Sequence, residues 1–434
     1  MEENRPSWTS RLTFILAAVG SAVGLGNIWR FPYIMGQNGG AVFLFVYLLL
    51  ILTICFIPLF AELATGKITK KECVSAFESI NPKFKPFGFL NPITGTLIAS
   101  FYFIVGGWII NYIFLSCVNA KIYDYENYFS VLTQSSVPSC AYTLIFLFIC
   151  VIFTARGIKR GIEFANNILM PLFAIILIGL IAFSLSLPNA NLGLEYMFKP
   201  DFSKVNPHMF LAALGQALFT LSIGMGALLT YGSYIKEDKS IMKSTYTIIF
   251  SDTLFALLAG IMIFPAIFSF GLEPSSGAGL VFITIPQIFA QIPYGNIVSA
   301  AFFILLLAAA ITSGISIIEV PIACMVERWK MSRKKACNIL FWIIALISIP
   351  ATLSFGILAD FKIINKTIFD FLDFITSSVL MPFNAFFLCI VAGWFLKIKG
   401  NQFIQNKFFA TAFDIGLKYI VPLILVLLLY VGLK

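Results

Sequence analysis

Of 434 residues, 59% are hydrophobic and only 11% are charged, against about 25% charged in ordinary soluble domains. A soluble fold so poor in charge lacks the polar groups to cover its surface, which excludes an ordinary globular domain of cytosol or secretion. The eight cysteines are scattered without a CxxC pair and His208 is the single histidine, so a zinc or iron–sulfur centre is not expected.

Many apolar stretches are long enough to cross a bilayer. We read eleven segments, at about 11–37, 41–66, 91–118, 139–155, 162–187, 208–234, 240–271, 294–326, 335–356, 367–396 and 408–432, numbered 1 to 11 below. Segment 1 is too long for the apolar core of a cleavable leader and follows charged residues and Pro6, so no signal peptide is expected. With the first tail inside and the sides alternating, 21 Lys and Arg fall on the inner side and 6 on the outer, leaving aside Arg30 and Lys418 within segments. That asymmetry predicts an inner N-terminus and, with an odd count, an outer C-terminus. It also gives the net charge of +9 a topological meaning, so no nucleic-acid partner is expected. The contacts are membrane lipid and a small molecule.

Segment 1 carries Gly20-Ser21-Ala22-Val23-Gly24-Leu25-Gly26-Asn27. Gly20 and Gly24 form a GxxxG pair, and helix packing alone would account for them. Gly26 adds a second break site, and Asn27 places a polar side chain at bilayer depth. Segment 6 repeats the pattern roughly two hundred residues later, in Phe219-Thr220-Leu221-Ser222-Ile223-Gly224-Met225-Gly226. A membrane helix must satisfy its own backbone hydrogen bonds, so breaks at matching places in two halves of a chain point to a site at the bilayer midplane. With breaks in segments 1 and 6, the chain divides into five segments plus five, about 11–187 and 208–396. The second set is inverted because five is odd. Segment 11 lies outside the repeat, and residues 1–434 form one membrane domain.

An unwound turn offers carbonyls to a cation and N–H groups to an anion, and a restarting half-helix points its positive end at the ligand. A zwitterionic amino acid fits, its carboxylate at the N–H groups near Gly26 and its ammonium at the carbonyls of Ala22, Phe219 and Ser222. Between segments 7 and 8, residues 272–293 are apolar enough to be read as a short helix-bearing loop over an external opening. In segment 8, Thr312 and Ser313 are adjacent hydroxyls. Such pairs commonly bond back to a carbonyl one turn earlier, but beside two broken helices they are candidate cation ligands. Ionisable residues within segments are costly and usually face the interior. They include Arg30, Glu62, Glu163, Asp252, Glu319, Asp370 and Asp373. Arg30 with Asp373 could close an outer path and Arg5 with Glu327 an inner one, although interfacial snorkelling is open for each. No nucleophile–base pair stands within the segments, so no enzymatic reaction is expected.

The run from Gly20 to Tyr33, followed by Asn38-Gly39-Gly40, closely resembles segment 1 of the neurotransmitter:sodium symporters, whose bacterial members include the leucine transporter LeuT. Gly106-Gly107-Trp108, Gly215 to Gly226, and Thr312-Ser313 extend the resemblance over segments 1 to 10. It implies the all-α LeuT-like fold, with discontinuous segments 1 and 6, in a bacterial plasma membrane. It also implies two sodium sites. The first would use Ala22, Asn27, Thr220, Asp252 and the substrate carboxylate, and the second Gly20, Val23, Ala309, Thr312 and Ser313. Tyr102 would bind the carboxylate. Ile98, Phe219, Ser222, Met225, Ser313 and Ile317 would surround the substrate side chain, with Gly24 and Gly26 beside it. Arg30–Asp373 would be the outer gate and Arg5–Glu327, covered by Trp8, the inner one. Glu62 would hold the unwound part of segment 6.

Three departures matter. Gly24 stands where monoamine carriers of the family have an aspartate, so the substrate must bring its own carboxylate. Asp252 stands where animal members have an asparagine and bind chloride beside it, Ser251 being the competing match. Tyr47 and Gln216 match two of the chloride-binding residues, and the fixed charge of Asp252 would make chloride dispensable. Met225 replaces a bulky phenylalanine, and its flexibility suits large apolar or aromatic ligands. The resulting expectation is sodium-driven uptake of neutral apolar L-amino acids. A proton-coupled permease, with Asp252 or Glu319 as carrier, is the alternative. Cys117 and Cys140 flank one outer loop, and a disulfide or two thiols are both open.

Overall fold

Hydrophobic segments that cannot leave backbone groups unpaired in lipid fold into helices, and the chain does so throughout. The structure, a computed structural model, describes residues 7–120, 122–236, 240–272 and 277–433. Among these, nine helices are long and apolar enough to cross a membrane, and the bent pair Arg11–Ala22 and Gly26–Gln37 brings the number to ten. Segment 6 contributes two shorter helices, Pro207–Thr220 and Ala227–Ser233. The expected count of eleven therefore depends on taking that interrupted pair as one crossing.

The observed bounds follow the expected ones closely, with segment 4 at Ser136–Ala155 and segment 10 at Ile368–Phe395. Segment 3 is longer than expected, because its helix runs without interruption over Lys85–Cys117. Pro86 at its start has no N–H to lose. The inner connection before it hides a further helix, Cys73–Ile80, whose first turn is capped by Glu72 accepting from Val74 and Ser75 N–H. The loop between segments 7 and 8 contains the expected helix over Leu280–Ala290. Its Phe282 packs edge-on to Trp108 and stacks on Phe129, which anchors it against segment 3.

Segments 3 and 8 pack on each other and are buried over most of their length, whereas segments 5 and 11 face mainly outward. Segment 1 leans on segment 8. The innermost helices are therefore the two broken ones and their two long neighbours, and the polar interior sits among them. Cys117 and Cys140 are both free thiols.

Candidate functional site

The first break sits between Ala22 and Gly26, where the two halves of segment 1 meet at 46°. Val23 is extended there, and Asn27 folds back so that its Oδ1 accepts from Gly24 N–H at 3.1 Å. The second break runs over Leu221–Gly226. Ser222, Gly224 and Gly226 adopt left-handed φ of 55°, 84° and 78°, a conformation natural to glycine and strained in other residues. Gly224 cannot be replaced, since a Cβ on it would lie 2.1 Å from the Met381 carbonyl. Its N–H donates to Glu62 Oε1 at 2.7 Å, and its carbonyl accepts from Asn384 Nδ2 at 2.8 Å. Glu62 thus occupies the position expected of it. Asn384, which sequence reading passed over, holds the other side of the same residue and also donates to Thr94 Oγ1 at 3.1 Å.

The breaks face one small cavity of about 20 Å³, and all eleven residues expected around a substrate line it. These are Ala22, Gly24, Gly26, Ile98, Tyr102, Phe219, Thr220, Ser222, Met225, Ser313 and Ile317, joined by Ser21 and Leu25. The Tyr102 hydroxyl is buried without a hydrogen-bond partner. It faces Gly24, where a Cβ would lie 2.4 Å from Ser313 Oγ and 3.4 Å from that hydroxyl. The opposite walls, Ile98, Met225 and Ile317, are apolar and buried.

Beside this cavity stands a polar cluster. Asp252 is wholly buried. Its Oδ1 accepts from Asn27 Nδ2 at 2.8 Å and Thr220 Oγ1 at 3.0 Å, while Oδ2 has no partner. The Tyr47 hydroxyl faces the same carboxylate. Gln216 donates to the Gly26 carbonyl at 2.9 Å and keeps an unpartnered Oε1. A buried carboxylate without a cation is costly, and this one lies among oxygen donors, as a hard alkali cation requires.

The second expected ligand set also converges. Ser313 Oγ donates to the Gly20 carbonyl at 3.1 Å and approaches that of Ser21 at 3.4 Å, which Ser222 Oγ reaches at 3.0 Å. Thr312 Oγ1 bonds back to the Ala308 and Ala309 carbonyls at 3.2 and 3.0 Å. Thr312 thus back-bonds within its helix, whereas Ser313 reaches across to segment 1. Val23 N–H closes the helical turn onto Val19 at 2.6 Å. Among the described residues, no cluster of three His, Cys, Asp or Glu could hold a metal ion.

Outside the cavity, Arg30 and Asp373 line one vestibule of about 290 Å³ together with Trp29, Phe219 and Asp370. They do not pair directly. The Arg30 guanidinium lies 4.3 Å above the Phe219 ring, and Asp373 Oδ1 accepts from Ser377. At the opposite end, expected to face inward, Trp8 is fully buried, its Nε1 donating to the Tyr231 carbonyl at 3.0 Å. Arg5 lies outside the described residues, and Glu327 Oε2 accepts from Glu72 N–H at 3.1 Å. Other ties at this end escaped sequence reading. Arg333 and Glu319 form an ion pair, Tyr234 Oη also donates to Glu319 at 3.0 Å, and Arg333 Nε donates to the Thr154 carbonyl at 2.6 Å. Glu163 accepts from Thr9 N–H at 2.7 Å and latches the start of segment 1 to segment 5.

With this geometry in place, comparison with known proteins is informative. The model of the sodium:neurotransmitter symporter family matches residues 5–126 and 120–433. The solved structure of MhsT in complex with L-phenylalanine superposes with a TM-score of 0.91 and 41% identity, over 99% of this chain and 100% of that one. The sodium-dependent transporter YhdH of Bacillus subtilis (strain 168) is 34% identical, with 98% of each chain covered. The sodium-dependent transporter MJ1319 of Methanocaldococcus jannaschii is 32% identical, over 90% of this chain and 82% of the relative.

Proposed function

The chain belongs to the sodium:neurotransmitter symporter family, and from that premise we propose that it takes up neutral apolar or aromatic L-amino acids with two sodium ions and without chloride. Sodium-coupled transport comes with the family, and the multi-pass membrane fold follows from the apolar helices. The substrate class, the ion sites and the orientation are our reading of this chain's own residues.

The observation that carries the substrate class is Gly24 facing Tyr102 and Ser313. No side-chain carboxylate fits at position 24, and the nearest orphan donor is the Tyr102 hydroxyl. A ligand carrying its own carboxylate would satisfy that hydroxyl and neutralise the sodium held by Ala22, Asn27, Thr220 and Asp252. Its ammonium would meet the carbonyls freed by the two breaks. The apolar walls leave nothing to pair a charged side chain, and Met225 can adjust to large ones. The relative solved with L-phenylalanine supports this size class.

The second sodium would sit among Gly20, Val23, Ala309, Thr312 and Ser313. Each charge crossing 100 mV contributes about 2.3 kcal/mol, so two ions can drive strong accumulation. Segments 1, 2, 6 and 7 would rock against the remaining helices, with Arg30 and Asp373 closing the outer path. The lysine and arginine distribution supports an inner N-terminus and an outer C-terminus. The site is assigned to transport, not chemistry.

The test is uptake into proteoliposomes under an imposed sodium gradient, with unlabelled amino acids as competitors of a labelled apolar one. Competition by large apolar L-amino acids is expected. Glycine or glutamate beating all of them would overturn the substrate class. A proton-coupled permease is the second reading, because Asp252 keeps a free oxygen. Glu319 is held by Arg333 and Tyr234 and is the poorer carrier. Sodium-free uptake driven by a pH gradient would establish that reading instead.

A further inference from the structure

Segment 5 meets segment 1 with two buried polar residues, Glu163, which is tied to Thr9, and Asn166. Asn166 is fully buried between Ile162 and Met170, one turn away on either side of the same face. Its Nδ2 donates to the Ile162 carbonyl at 2.9 Å. That bond fixes which way the amide points, because a flipped amide would set two oxygens against each other. Its Oδ1 is left buried and without a partner. A Cβ on Gly20 would lie 2.2 Å from this oxygen and 3.1 Å from Thr312 Cβ. The orphan oxygen therefore lies against Gly20, on the side where Gly20 also approaches Thr312.

We propose that Asn166 is a sodium contact: its Oδ1 supplies an oxygen from segment 5 to the cation held by segments 1 and 8, and so sets how tightly that cation is bound. The inference rests on the second-sodium reading given above. Its chemistry is simple. A buried carbonyl oxygen that lacks a donor is unfavourable, and a hard cation seeks such an oxygen because it arrives without the cost of a second buried charge. A purely structural asparagine would use both ends of its amide, whereas this one uses only its donor. Gly20 is the complementary half of the arrangement, since any side chain there would separate Asn166 from the other ligands.

The experiment measures sodium binding without transport. Purified full-length protein is titrated with sodium chloride in place of N-methylglucamine chloride, and the midpoint of sodium-induced thermal stabilisation is read. Thr312→Ala serves as the reference for the second site. Asn166→Ala and Asn166→Leu are expected to raise the midpoint about fivefold or more. Asn166→Asp keeps an oxygen, adds charge and loses the Ile162 bond, and it is expected to lower the midpoint. A merely structural role would not tighten sodium in that variant. If Thr312→Ala shifts the midpoint while the alanine and leucine variants match the parent, the Asn166 contact is refuted and the second site stands. If Thr312→Ala itself leaves the midpoint unchanged, the second-site reading fails and takes this inference with it. Should the alanine and leucine variants not fold, the aspartate variant decides: a raised midpoint there refutes the contact.

Discussion

Asn27 and Asp252 are joined by a 2.8 Å hydrogen bond between side chains 225 residues apart. The bond fastens the first break to the middle of segment 7. Thr220 donates to the same carboxylate oxygen at 3.0 Å, so one buried charge gathers both broken segments. On the proposed sodium reading, the negative charge that balances a cation here would belong to the protein itself.

Replacing chloride with gluconate is therefore expected to leave uptake unchanged in the parent protein. Asp252→Asn removes the fixed charge while keeping the shape. It should raise the sodium needed for half-maximal uptake by about tenfold, the equivalent of roughly 1.4 kcal/mol. It should also make the rate respond to chloride. Chloride-dependent uptake by the parent would show that Asp252 does not play this part.

Gly24→Ala tests how closely the first break approaches its neighbours. The added methyl would lie 2.4 Å from Ser313 Oγ, and overpacking of this kind costs about 1–3 kcal/mol. Binding of a labelled apolar amino acid should weaken by about tenfold or more. Gly24→Asp should abolish it. Parent-like binding in Gly24→Asp would remove the argument for a substrate that carries its own carboxylate.

Gly224→Ala strains the second break in two ways, through its φ of 84° and through the Met381 carbonyl. Together these should cost about 2–5 kcal/mol. Thermal unfolding of the purified protein would report the loss. An unchanged midpoint would mean that the turn has an alternative conformation of equal energy.

Arg333→Ala would leave Glu319 buried with the Tyr234 hydroxyl but without a counter-charge. Such a removal costs about 3–5 kcal/mol, whereas replacing a buried pair by apolar residues of similar size is often neutral. Glu319→Met combined with Arg333→Met should therefore unfold at a higher temperature than Arg333→Ala alone. If the double variant is the less stable of the two, the pair contributes more than charge compensation.

The two glycine-broken turns, the Thr312-Ser313 hydroxyl pair and most helix bounds are legible in the sequence as local patterns. The remaining residues around the cavity, Ile98, Tyr102 and Ile317 among them, are reached only through the family resemblance. What was not legible depends on distant partners. Arg333 reads as one more positive charge at the inner surface, yet its guanidinium turns back onto Glu319. Asn384 carries no local signal beyond being polar within a segment, and only the fold brings it to Gly224 and Thr94. Glu163 was visible as a costly ionisable group, but its partner Thr9 lies 154 residues away. The helix Cys73–Ile80 was hidden because its eight residues are too few to show a clear period.

The hydroxyl of Ser313 donates to the Gly20 carbonyl, an oxygen that a cation would also claim. A hydroxyl proton rotates freely to suit its surroundings. If the proposed second sodium binds at Gly20, this proton would turn aside and expose the same Ser313 oxygen to the ion. On release of the ion the proton would swing back and cover the Gly20 carbonyl. Ser313 would then be a placeholder that keeps the cation seat electrically quiet between visits. On that reading the carrier would return without cargo and without leaving the Gly20 carbonyl bare in the middle of the bilayer.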